Sequence, residues 1–144
     1  MPLRPLVRPV GATLAAVLPQ VEIIAATVPA IMASLATDDS DFAQKALRAM
    51  ERRSPLLMCV TQELLARGAA LDVAGCLRLE RALARHNFEH GEVLEGIRAL
   101  AIDKDNRPQW TPATLAEVTP EMVERFFTPV WPAHTHPLRW LQDK

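Results

Sequence analysis

Apolar residues recur at three- and four-residue intervals along most of this chain, and prolines and capping side chains cut the pattern into short helical segments. Residues 1–11 carry Pro2, Pro5 and Pro9 and read as extended, and Thr13–Leu18 allows a turn or two of helix before Pro19. Thr27 caps a segment with Pro29 in its first turn and Ile31, Met32 and Leu35 on one side. Ser40 or Asp41 starts the next, with Phe42, Ala46, Leu47 and Met50 at helical spacing. Ser54-Pro55 is a strong start signal for a helix carrying Leu57, Val60, Thr61, Leu64 and Leu65 and ending at Gly68. Another helix runs from near Asp72 to about Arg85, with Val73, Cys76, Leu79 and Leu83 inward and Arg78, Arg81 and Arg85 outward. A further one starts around Glu92 and carries Val93, Leu94, Ile97 and Leu100. Thr111-Pro112 and Thr119-Pro120 each predict a short helix, the last ending near Phe127. No strand-like alternation and no repeat interrupts this series, so the predicted fold class is all-α, with seven or eight short helices.

Three regions follow: a Pro-rich extension with a short helix (residues 1–26), a helical domain (27–128) and a tail containing proline and tryptophan (129–144). A chain of 144 residues is one domain's worth and can bury a real core. Its 49% hydrophobic and 23% charged content excludes intrinsic disorder, and five glycines with no tyrosine suit helices. Sixteen basic against seventeen acidic residues give a net charge of −1, which removes the bulk electrostatic case for nucleic acid or an anionic membrane as partner. Two cysteines, Cys59 and Cys76, are too few for a disulfide scaffold and read as small buried residues in a reducing, cytoplasmic protein. The apolar run from Val10 to Leu18 follows Arg4 and Arg8 as in a secretory leader, but Pro19 and Glu22 break it and no cleavage site follows. No stretch is long enough to span a bilayer.

Candidate chemistry is sparse. His86-Asn87-Phe88-Glu89-His90 spells an inverted zincin motif, with Glu92 or Glu95 as a third ligand, yet it runs into Gly91 and reads better as a helix end. His134-x-His136 lies in a Pro-rich tail and reads as incidental. Ser54 has no nucleophile elbow and reads as a cap. Arg78, Arg81 and Arg85 form one basic face and Lys45, Arg48, Arg52 and Arg53 another; solvated or partner-facing surface is the first reading of each, anion binding the second. No metal ligands and no catalytic residues are assigned.

The block Glu95-Gly96-Ile97-Arg98-Ala99, Ile102-Asp103-Lys104-Asp105 and Pro108-Gln109-Trp110-Thr111-Pro112 resembles the C-terminal segment of the 3-hydroxyisobutyryl-CoA hydrolases, within the crotonase (enoyl-CoA hydratase/isomerase) superfamily. Ser54-Pro55 with Thr61 and Leu64 is similar to a helix upstream of it, and the likeness covers roughly residues 27–120. Glu92-Val93 stands where that family has Asp-Phe. The resemblance implies an α/β core that supplies the oxyanion hole and the catalytic acids, and the 26 residues before Thr27 are too few to hold it. It therefore implies a helical portion of an acyl-CoA thioesterase of valine breakdown. That portion would cap the acyl-CoA site or form the subunit interface, without activity of its own. The implied partners are a crotonase-like catalytic core, in the same or a separate chain, and further copies of the protein. A coenzyme A thioester is the implied substrate, with no cofactor. Lys104 and Arg107, in a polar loop, are then the candidates to meet CoA phosphates. Gly96 within a helix signals close approach of another backbone, and Trp110 reads as an anchor for the loop. A stand-alone helical interaction module is the alternative, and a zinc hydrolase through His86, Glu89 and His90 the third reading. Helices that lack a core to face would show apolar residues to water, which predicts association.

Overall fold

The computed structural model describes residues 27–90 and 92–142. These are helical, with no strand among them: α1 (Val28–Ala36), α2 (Asp41–Met50), α3 (Pro55–Gly68), α4 (Val73–Glu89), α5 (Glu92–Ile97) and α6 (Pro120–Arg125). A π-helical stretch, Arg98–Ile102, continues α5, and 3₁₀ turns occupy Leu115–Glu117 and Ala133–Thr135. The all-α class holds. Of the eight expected helices, Thr13–Leu18 lies outside the described residues and one other does not form.

The local start signals act as their chemistry requires. Thr27, Ser40, Ser54, Asp72 and Thr119 each accept a hydrogen bond from the backbone N–H three residues on, satisfying a donor that no carbonyl of the helix can reach. Thr111-Pro112 is the exception. Its Thr111 N–H is donated to Glu92 Oε1 (3.2 Å), while Glu117 Oε2 collects the N–H groups of Ala113 (2.9 Å) and Thr114 (3.4 Å). The turn therefore begins at Thr114, three residues late, and the Thr111–Pro112 peptide is cis.

The core lies where α3, α4 and α6 meet. Leu56 and Val60 of α3, Leu83 of α4, and Phe126 and Phe127 just past α6 are buried together, with Leu57, Leu64, Leu79, Val118 and Val123 packed around them. Phe126, 1% exposed, is its most enclosed side chain. The rim is polar: the Arg67 guanidinium lies 4.0 Å from the Phe127 ring centre and pairs with Glu63 (2.7 Å) and Glu124. Two sequence expectations are corrected. Val73, predicted to face inward, is 67% exposed, because α4 begins beyond the edge of the core. Arg78, Arg81 and Arg85 are not simply solvated: Arg78 donates to the carbonyls of Leu138 (3.1 Å) and Leu141, and Arg81 and Arg85 lie 5.5 and 5.4 Å from the Trp131 ring centre. The basic face of α4 holds the tail.

Candidate functional site

Among the described residues, the α5 segment and the loop after it are densely tied by side-chain hydrogen bonds. Glu92, at the start of α5, is 4% exposed, and its two oxygens are spent on two distant partners. Oε2 accepts from the Ser54 hydroxyl at the head of α3, and Oε1 accepts from Thr111 N–H. Ser54 in turn accepts from Leu57 N–H (3.0 Å), so one hydroxyl caps α3 and anchors α5. A buried carboxylate needs such donors to remain in place.

Nearly two turns on, Arg98 is the hub of the loop. Its Nε and Nη2 form a fork on Glu95 (2.8 Å each), its Nη1 reaches Asp103 and Asp105 (2.9 Å to the latter), and Nη2 also donates to the Arg107 carbonyl (3.1 Å). Glu95 accepts further from Gln109 N–H (2.6 Å). The Arg98 guanidinium and then that N–H hold the Glu95 carboxyl down at about 2, and Arg98 is itself pushed well above its ordinary value by the three carboxylates. Asp105 is lowered by the Arg107 N–H and Arg98. The π-helical geometry of 98–102 closes with Asp103 N–H on the Arg98 carbonyl (2.8 Å), and Asn106 N–H returns to the Ala99 carbonyl (3.0 Å). Lys104 and Asn106 hold left-handed backbone angles (φ 57° and 54°), which the Arg98 network maintains.

This frame presents Lys104 and Arg107 to solvent, and neither enters an ion pair among the described residues. Trp110 anchors the far end: its Nε1 donates to the Arg52 carbonyl (3.4 Å), and its ring covers Gly96. The close neighbour that Gly96 admits is thus an indole and not, as its position suggested, another backbone.

Two cavities meet at Trp110. An apolar groove of about 430 Å³ runs between α1 and α3, lined by Val28, Ile31, Met50, Leu57, Met58 and Leu65 among others. A cleft of about 600 Å³ lies between the end of α2 and the α5 loop, with Arg48, Glu51, Arg52, Arg53 and Asn106 set among apolar walls that include Leu100 and Pro108. Arg53 and Trp110 line both. The sequence marked the basic face of Arg48, Arg52 and Arg53 and the anchor Trp110, but not that the fold brings them together beside an apolar groove.

The histidine motif is folded into packing. His86 and His90 do share a face of α4, but their rings are stacked (5.4 Å, 10° between planes). His86 Nε2 meets the Thr128 carbonyl (2.9 Å), and the Arg125 guanidinium lies on His90, with Nη2 2.8 Å from Nδ1. Burial, then Arg125, then His86 lower the pKa of His90. Among the described residues no three His, Cys, Asp or Glu side chains converge as metal ligands. Cys59 and Cys76 are free and half-buried, and burial pushes the Cys59 thiol up. No described helix is long and apolar enough to cross a membrane.

The E-G-x-R-A turn, the D-K-D loop and the tryptophan anchor are the features by which the chain resembles the acyl-CoA enzymes, and direct comparison specifies the family. The chain belongs to the enoyl-CoA hydratase/isomerase family, whose model matches residues 8–127. It is 35% identical over 102 residues to the mitochondrial 3-hydroxyisobutyryl-CoA hydrolase of Xenopus laevis, covering 71% of this chain and 26% of that one. It is also 35% identical over 101 residues to the human mitochondrial 3-hydroxyisobutyryl-CoA hydrolase, covering 70% and 26%. Among solved structures it is similar to an enoyl-CoA hydratase from Rhodobacter sphaeroides 2.4.1 (31% identity, TM-score 0.75, 90% of this chain and 38% of that one). A carnitinyl-CoA dehydratase from Mycobacterium thermoresistibile is similar too (33%, TM-score 0.72, 90% and 37%). The chain spans about a quarter of the length of the curated relatives it matches.

Proposed function

We propose that this chain is the C-terminal helical portion of a 3-hydroxyisobutyryl-CoA hydrolase-like thioesterase and completes a crotonase-type catalytic core. The observation that carries the reading is a run of exposed apolar side chains in the very block that bears the family's motifs. Leu94, Ile97, Leu100 and Ile102 are all exposed, the last two at 69%, along one short stretch of α5 and its π-helical continuation. Four large apolar side chains exposed within nine residues mark a surface made to be covered. A catalytic core or a second copy of the chain would cover it, and the Arg98 network would fix the loop beside that contact. In the assembled enzyme the core polarises the thioester carbonyl through an oxyanion hole and water attacks it. This chain supplies no acid or nucleophile. It closes the site or the subunit contact, with Lys104 and Arg107 facing the CoA phosphates.

Reconstitution tests this. A hydrolase core lacking its own helical C-terminal portion is mixed with this chain, and turnover of 3-hydroxyisobutyryl-CoA is followed by thiol release. Turnover that requires both parts supports the reading. Absence of any association between them refutes it and leaves a stand-alone interaction module.

A further inference from the structure

Arg78, Arg81 and Arg85 stand at i, i+3 and i+7 on α4, one basic stripe about two turns long. What covers this stripe is neutral. Arg78 donates to the carbonyls of Leu138 (3.1 Å) and Leu141, and the Trp131 ring centre lies 5.5 and 5.4 Å from the guanidiniums of Arg81 and Arg85. Glu89 pairs with Arg85 (2.7 Å), but Arg78 and Arg81 meet no carboxylate among the described residues, and Arg81 makes no hydrogen bond there. The covering tail differs from the body it lies on. Phe126 and Phe127 are buried in the core, and the Thr128 carbonyl meets His86 Nε2 (2.9 Å), which fixes the point where the tail leaves. Over residues 129–142 no side chain is buried, and Trp140 is 79% exposed. With so little apolar burial, the hold of the tail on α4 rests on the carbonyl bonds and the ring contacts. The tail also lies beyond residue 127, where the match to the family ends.

We infer that this face of α4 is a docking surface for an acidic polypeptide segment, and that the tail is a strap which covers the face and leaves when such a segment binds. The chemistry of the contacts favours exchange. A carboxylate on a guanidinium makes a charge-assisted bond, roughly twice as strong as the bond to a neutral carbonyl, and it uses two parallel N–H donors. Arg81, whose donors are unused, gains most. The tail itself shows the form of its competitor: a polypeptide with an aromatic ring set against Arg81 and Arg85 and acceptors at Arg78. A partner that places an aromatic residue in the seat of Trp131 and carboxylates at Arg78 and Arg81 keeps this geometry and adds complementary charge. Nucleic acid suits the face less well, because the stripe is short and a chain of net charge −1 puts no wide positive field around it. The inference goes beyond the thioesterase reading and does not depend on it.

The test is fluorescence anisotropy of the full chain with a labelled peptide of glutamates around one tryptophan. A peptide with glutamine at every glutamate position and a short single-stranded RNA are the comparison probes. The acidic peptide is expected to bind, more weakly as salt rises, and the glutamine peptide to bind about tenfold less well. Trp131→Ala loosens the strap and should tighten binding of the acidic peptide about fivefold. R78Q/R81Q/R85Q should lose about tenfold or more. Arg81→Gln breaks no hydrogen bond of the fold and should still weaken binding about threefold, which keeps the test open if the triple variant does not fold by circular dichroism. In NMR spectra of the parent chain, the indole signals of Trp131 and Trp140 should move to the positions of an unstructured chain as the acidic peptide saturates. Failure of the acidic peptide to bind, or unchanged affinity in Arg81→Gln, would overturn the docking surface. Equal affinity of Trp131→Ala and the parent, or indole signals that stay in place at saturation, would overturn the strap. RNA binding more tightly than the acidic peptide would overturn the choice of partner.

Discussion

The ring of Trp110 lies against Gly96, with its Cη2 3.3 Å from where a Cβ on Gly96 would stand. A larger residue must therefore push the indole off its seat, and the indole is tethered by its bond to the Arg52 carbonyl. Gly96→Leu is expected to lower stability by about 2 kcal/mol through overpacking. Gly96→Ala stays within about 1 kcal/mol of the parent, because the gain in helix propensity opposes the crowding. Denaturant titration measures both. A red shift of the tryptophan emission in Gly96→Leu alone identifies displacement of Trp110 as the cause.

Ser54 and Glu92 join α3 to α5 across 38 positions of sequence. Ser54→Ala removes the helix cap and one donor to a buried carboxylate together, an expected cost of about 2–3 kcal/mol. Ser54→Thr keeps the hydroxyl and should recover most of it. Chemical denaturation of the two variants separates a hydroxyl requirement from a simple volume effect, since Thr is the larger change in size.

The Glu95 carboxyl, held down at about 2 by Arg98 and Gln109 N–H, gives the loop a defined acid sensitivity. Its folded value lies below its unfolded one, so its contribution is complete above the ordinary carboxylate range and is lost as pH falls toward 2. Protection of the Asn106 and Gln109 amides, taken relative to their intrinsic exchange at each pH, should accordingly be high near neutrality and fall in acid before the α3–α4 core opens. Arg98→Lys keeps the charge but loses the fork, and should show the same low protection already at pH 7.

His90 should titrate below its ordinary value, because burial, the Arg125 guanidinium and His86 all disfavour its charged form while Glu89 favours it weakly. Unfolding releases this restraint, so the unfolded chain binds the proton more readily and stability declines as pH falls below the ordinary histidine range. Arg125→Gln removes one of the three causes and should move the His90 titration, followed by imidazole NMR, part of the way back up. An unchanged titration would contradict the contact.

The sequence alone determined the helical class, the helix starts at Thr27, Ser40, Ser54 and Thr119, and the family. Those signals are local: a cap reaches three residues, a helical stripe repeats every three or four, and the Glu95–Pro112 motifs are contiguous. Trp110 was legible as an anchor for the same reason, between its two prolines. What the tertiary structure decided lies at longer range. Thr111-Pro112 reads as a helix start until Glu92, 19 positions earlier, takes the Thr111 N–H. Arg78 reads as surface until the carbonyl of Leu138, 60 positions later, comes to it. His86 and His90 spell a metal motif that reads better as a helix end, and only the fold shows what holds them: their rings stack and Arg125 lies on His90. Arg52 and Arg53 acquire their setting only because Trp110, 58 positions from Arg52, donates to the Arg52 carbonyl and so stands in the wall of both the arginine cleft and the apolar groove. Local hydrogen bonds are written in neighbouring residues, whereas the partner of a packed side chain is chosen by the fold.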